Sequence, residues 1–93
     1  MGFRIQIITT PGHSAGSVCY LINGRLFSGD TLFNGAIGRT WGASEAEEQK
    51  KAQELILNIK AKLFVLPEST LVFPGHDELT DIGHEKLYNP YLK

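Results

Sequence analysis

At 93 residues the chain is the size of one small domain, and nine Lys and Arg against ten Asp and Glu give a net charge of −1. That balance excludes the strongly basic face by which nucleic-acid binders and anionic-membrane binders hold their partners. A composition of 42% hydrophobic and 20% charged residues describes a globular chain, and no apolar run approaches the ~18 residues of a membrane-spanning helix.

Phe3 to Thr9 opens with apolar and polar residues alternating, which predicts a strand with Phe3, Ile5 and Ile7 on one face. Thr10-Pro11-Gly12 breaks it. Ser17 to Ile22 is apolar nearly throughout and is expected to be a strand buried on both faces. The single cysteine, Cys19, lies in this run. It cannot form a disulfide within the chain, so a buried thiol in a reducing, cytoplasmic setting is expected. The first residues carry neither a signal-peptide nor a myristoylation pattern, which points the same way. Asn23-Gly24 reads as a tight hairpin turn into a third strand at Arg25 to Phe27. Ser28 to Ala43 is glycine-rich and aperiodic, a long loop of the kind that is usually functional or disordered.

Ser44 and Glu47 form an S-x-x-E capping box, and Ala52, Leu55, Ile56, Ile59 and Leu63 follow at helical spacing. They predict one amphipathic helix of about five turns that Pro67 closes, with Lys50, Lys51, Glu54 and Lys60 on its solvated side. Leu71-Val72-Phe73 is a short strand cut by Pro74-Gly75, and the tail holds a turn of helix ended by Asn89-Pro90. Three strands, a long helix and a strand make an α/β layer in which a helix covers one face of a sheet. No linker is visible, so residues 1–93 read as a single unit.

The chemistry-bearing residues stand at strand ends. Pro11-Gly12-His13 and Pro74-Gly75-His76 echo each other, and between them Ser28-Gly29-Asp30 presents a carboxylate after a third strand. Loops beyond strand ends are where α/β sheets place their sites. Two imidazoles and a carboxylate suit a borderline cation such as zinc or iron. Residue types and spacing alone leave two readings open: a metal site, or histidines that bond loop backbone and an aspartate that caps a turn. Ser14 has no visible triad partner, so a nucleophilic serine is not expected.

Larger motifs carry a resemblance. Thr10 to Ser17, Leu26 to Phe33, Gly38-Arg39-Thr40, Phe73 to His76, Asp81 to Lys86 and Asn89 to Leu92 are similar, in order, to the C-terminal half of metallo-β-lactamase-fold hydrolases, closest to the glyoxalase II-like group. The resemblance implies a single partial domain over residues 1–93: half of an αββα sandwich, a mixed sheet with one long helix on one face. It implies metal ligation by His13, Asp30 and His76, with Asp30 the catalytic bridging carboxylate, and Zn2+ as the expected cofactor, Fe or Mn being alternatives. The implied reaction is hydrolysis of an acyl bond in a small-molecule substrate, commonly a thioester, by water activated at the metal. Arg39 is the candidate substrate-binding residue, with a purely structural role as the alternative. His84 is expected to be structural. Asp77 or Glu78 could steady the His76 imidazole. Trp41 stands where relatives often carry Asp in a G-R-T-D run. The family's H-x-H-x-D-H motif is absent and no H-x-H occurs anywhere, so three of its seven ligand positions are present. The expected partner is therefore a separate N-terminal half, without which the chain is expected to be inactive. The alternative is a second copy, in a non-catalytic homodimer that binds metal through the same three residues.

Overall fold

The computed structural model describes residues 4–13, 16–76 and 78–93. Phe3, Ser14 and Asp77 lie outside the described residues.

Strand β1 spans Ile5–Thr9, β2 Val18–Ile22 and β3 Arg25–Gly29. They form an antiparallel meander, with Ile7 opposite Tyr20 and Tyr20 opposite Phe27, and β2 turns into β3 at Asn23-Gly24 as the sequence predicts. A two-stranded hairpin follows, β4 at Leu32–Phe33 and β5 at Ala36–Ile37. Helix α1 runs Glu45–Asn58 and its last turn widens into a π-helical segment over Ile59–Leu63, where the Phe64 amide donates to the Ile59 carbonyl at 3.0 Å. Strand β6 at Leu71–Pro74 then enters parallel to β3, β7 at Thr80–Asp81 pairs antiparallel with β6, and α2 spans Ile82–Tyr88. The five-stranded mixed sheet has the order β1-β2-β3-β6-β7.

The helix starts where its cap is written. The Ser44 hydroxyl accepts from the Glu47 amide at 3.2 Å, and the Glu47 carboxylate reaches back to the Ala43 amide at 3.1 Å, one residue before the usual partner of a capping box. Leu55, Ile59 and Leu63 from its stripe are fully buried. They form one core with Ile8, Cys19, Leu26 and Val72, which share one face of the sheet, and with Leu32, Ile82 and Leu92. Lys62 pins the end of this helix to the end of β1, donating to the Thr9 carbonyl at 2.7 Å.

The other face of the sheet is open. Across it runs Ile7 on β1, Tyr20 on β2, Phe27 on β3 and Phe73 on β6, with the two phenyl rings stacked at 5.2 Å. Ile7 is 62% exposed and Tyr20 43%. The expectation that β2 is buried on both faces is thus corrected: α1 covers one side only, and no element among the described residues covers the other. No helix among the described residues is long and apolar enough to cross a membrane.

Candidate metal centre

Topology brings the three candidate donors to one edge. Strand β3 is parallel to β6, and β1 is two antiparallel steps from β3, so all three run in the same direction. His13 follows β1, Asp30 follows β3 and His76 follows β6, so all three leave the same edge of the sheet.

The turns that carry them are tied down from below. The Thr10 amide donates to the Ser17 carbonyl at 2.9 Å, closing the base of the His13 loop, and Gly12 lies so close to Leu55 of α1 that a Cβ there would overlap it. The buried hydroxyls of Thr10 and Thr31 bond each other at 3.0 Å, which couples the His13 loop to the Asp30 loop. The Gly75 amide donates to the Gly29 carbonyl at 2.8 Å and couples the His76 turn to the end of β3. Gly38 passes directly over Asp30: a side chain at 38 would collide with the Asp30 carbonyl oxygen and crowd the His13 Cβ at 3.3 Å.

Asp30 lies between the two imidazoles and offers one oxygen to each. Its Oδ2 is 3.7 Å from His13 Nε2, and its Oδ1 is 3.6 Å from His76 Nε2. Both spacings are too long for good hydrogen bonds. They are close to the ~3.4 Å that separates two donors bound at ~2.1 Å to one tetrahedral ion. The His13 tautomer is also fixed. Its Nδ1 is 2.7 Å from the Arg39 carbonyl, which can only accept, so neutral His13 carries its proton on Nδ1 and turns the Nε2 lone pair toward Asp30. The donor set therefore fits a borderline divalent ion, which His13, Asp30 and His76 would hold. Among the described residues no three donors close on a single point, so the arrangement is an open row rather than a finished cage.

The row lies in a cavity of about 330 Å³, lined also by Phe33, Ile37, Gly38, Arg39 and Trp41. Arg39 also lines this cavity, and it forms no ion pair among the described residues. His84 does not line this cavity; its ring tilts against Tyr88 at 5.0 Å, a surface contact. Glu78 is exposed.

The sequence reading missed the residues that hold the cavity wall. Glu85 is fully buried, and its carboxylate accepts from the Gly35 amide at 2.9 Å, the Thr80 hydroxyl at 2.6 Å and the Asn89 amide at 2.9 Å. Asn89, also fully buried, donates to the Ala36 carbonyl at 3.1 Å. These two side chains fasten the β4–β5 hairpin, with Phe33 and Ile37 on it, to α2. The signal available was the Asp81-to-Asn89 motif itself, which sets a carboxylate in a short helix and an amide four residues on, at its end.

Known proteins carry the same pattern. The profile of the metallo-β-lactamase superfamily matches residues 2–76. The probable metallo-hydrolase YqgX of Bacillus subtilis is 42% identical over 92 residues, which cover 97% of this chain and 41% of that protein. Hydroxyacylglutathione hydrolase GloC of Haemophilus influenzae is 36% identical over 93 residues, 98% of this chain and 42% of the relative. The crystal structure of TTHA1623 in a di-iron-bound form superposes with a TM-score of 0.78 at 37% identity, covering 95% of this chain and 42% of that one. The chain thus spans about two fifths of the length of the relatives it matches. With the strand-end row, the sheet order and this profile in agreement, the chain belongs to the metallo-β-lactamase superfamily.

Proposed function

We propose that residues 1–93 are one partial domain of a metal-dependent hydrolase that cleaves an acyl bond, a thioester or ester, in a small molecule. The observation that supports it is Asp30 directing one oxygen to each of two imidazoles that arrive from different strands. When bound, a divalent ion supplies Lewis-acid polarisation of the acyl oxygen and acidifies water. His13 Nε2, Asp30 and His76 Nε2 would hold it, zinc being the proposed ion and iron the alternative that the di-iron neighbour suggests. The chain's own part is orientation. The Arg39 carbonyl keeps His13 in its ligating tautomer, and Arg39, which lines the cavity, would meet an anionic group of the substrate. The buried, unpaired Cys19 supports a cytoplasmic setting.

The chain holds no H-x-H, so the reading requires the remaining ligands from a segment that also covers the open sheet face. The test is complementation. A second chain bearing H-x-H-x-D-H is added with zinc, and hydrolysis of a hydroxyacylglutathione thioester is followed. Metal-dependent turnover that Asp30→Ala abolishes is the expected result; no turnover from a formed, zinc-loaded complex overturns it.

The exposed stripe of Ile7, Tyr20 and Phe27 favours a second reading, in which two copies cover each other's open face and bind metal without catalysis. Sedimentation equilibrium separates the two: this reading requires a concentration-dependent dimer, and a monomer at high concentration removes it.

A further inference from the structure

The donor row has an aromatic ring at each end. The Trp41 indole lies 5.0 Å from the His13 ring at a tilt of 59°, and Phe33 lies 6.4 Å from the His76 ring at 25°. Neither ring belongs to the buried core. Trp41 is 52% exposed although it lines a cavity, and it extends from the loop that passes over Asp30. Phe33 comes from the β4–β5 hairpin, which Glu85 and Asn89 hold in place from beneath. Ile37 of the same hairpin adds further apolar wall, and among the described residues Asp30 is the only carboxylate lining the cavity.

Rings placed this way leave apolar area beside polar donors that fix a carbonyl. That is the pattern of a ligand site in which a few polar groups orient and apolar walls bind. A cavity of about 330 Å³ is at the small end of such sites and admits a group the size of a phenyl ring beside a carbonyl. Tryptophan at position 41 also places a neutral, apolar surface at the rim, which a polar acyl chain would leave half-wetted.

We infer that Trp41 and Phe33 form a specificity site for the acyl portion of the substrate, selecting an apolar aryl or branched-alkyl group over a small polar one. The inference rests on the reading of His13, Asp30 and His76 as the site that holds the acyl carbonyl end. It adds what the acyl group is.

The test uses acids that mimic the product of acyl cleavage. Phenylacetate and acetate are titrated into the zinc-loaded chain by calorimetry, with emission from Trp41, the only tryptophan, as the contact readout. Phenylacetate is expected to bind about tenfold more tightly than acetate and to shift Trp41 emission, an edge or stacking contact with aromatic rings being worth about threefold to tenfold each. Trp41→Ala and Phe33→Ala should each lower that preference, read as the ratio of phenylacetate to acetate affinity, about threefold or more. Trp41 is half exposed, so its replacement removes no core contact. Equal affinity for the two acids on a zinc-loaded chain, or a preference that survives both substitutions, overturns the inference and leaves the metal reading standing. A chain that takes up no zinc by itself agrees with the need for ligands from a further segment and leaves the metal reading to the complementation test. In that case the Trp41 response still decides: a phenylacetate-dependent shift lost in Phe33→Ala upholds the aromatic site, and no shift overturns it.

Discussion

On one face of the sheet, Ile8, Cys19, Leu26 and Val72 lie sealed under α1 and its π-helical turn. On the other, Ile7, Tyr20 and Phe27 meet water. The two faces come from the same strands, residue by residue in alternation, and both are apolar. Apolar patterning therefore says that a face is meant to be covered, and the chain decides only which face it can cover itself. One helix covers one side. The second side is left without one among the described residues, and under the proposed function the segment that seals it is also the one that brings the remaining ligands.

The comparison breaks or holds at two neighbouring residues of β3. Leu26 is fully buried beneath the helix, whereas Phe27 is 40% exposed and stacks on Phe73. Leu26→Ala is expected to cost about 2–5 kcal/mol in urea unfolding, because it removes buried surface and leaves a cavity. That is a large part of the stability of a domain this small. Phe27→Ala should cost less, about 1–2 kcal/mol, the worth of one aromatic pair and a partly covered ring. A reversed order would mean that the open face is covered in solution, by a partner chain or a second copy. Concentration dependence of the Phe27→Ala effect would then identify association.

A buried polar group sharpens the same contrast at the far edge. Glu85 is as buried as Leu26 yet works through directed bonds to Gly35, Thr80 and Asn89. Glu85→Ala takes this acceptor from all three donors, a loss of about 2–3 kcal/mol, since an unsatisfied buried group costs ~1–3 kcal/mol, Asn89 keeps the Ala36 carbonyl and the Gly35 amide is only half-buried. Glu85→Gln keeps one acceptor and should lose less. The distinguishing measurement is hydrogen exchange at the Gly35 amide. It should speed up in Glu85→Ala more than exchange in β2 does, because the hairpin loses its anchor while the helix-covered face keeps its packing.

The parts legible in the sequence are those that a local rule writes. Ser44 and Glu47 mark the start of α1, the stripe from Leu55 to Leu63 gives its buried side, and Pro-Gly-His twice marks a strand end with a donor. The β4–β5 hairpin was hidden within a presumed loop because two-residue strands have no period to detect, and only the burial of Leu32 and the bond from Gly35 to Glu85 reveal its role. β2 misled in a different way. A run of Val, Cys, Tyr, Leu and Ile reads as buried on both sides, but nothing in five residues says whether the second layer belongs to this chain. The Thr10–Thr31 bond was illegible too, since it joins residues 21 positions apart that look like loop threonines until the sheet brings the strand ends together.

The smallest effect belongs to a region that touches neither face, the first turn of α1. The Ala43 amide, and after it the Lys51 ammonium 3.5 Å away, hold the Glu47 carboxyl below its usual value. A carboxyl whose folded value is depressed adds stability that is fully present above its unfolded pKa and lost as pH falls through the folded one. Glu47→Gln should therefore lower the urea midpoint slightly near neutral pH, and the two proteins should converge once both carboxyl states are protonated. Salt should remove only part of the difference. Screening weakens the exposed Lys51 pair, whereas the hydrogen bond from the Ala43 amide, the larger cause, persists at high ionic strength. A difference that vanishes in salt would reassign the effect to Lys51. One that grows on acidification would mean that Glu47 is held up rather than down, and that the cap does not close on Ala43.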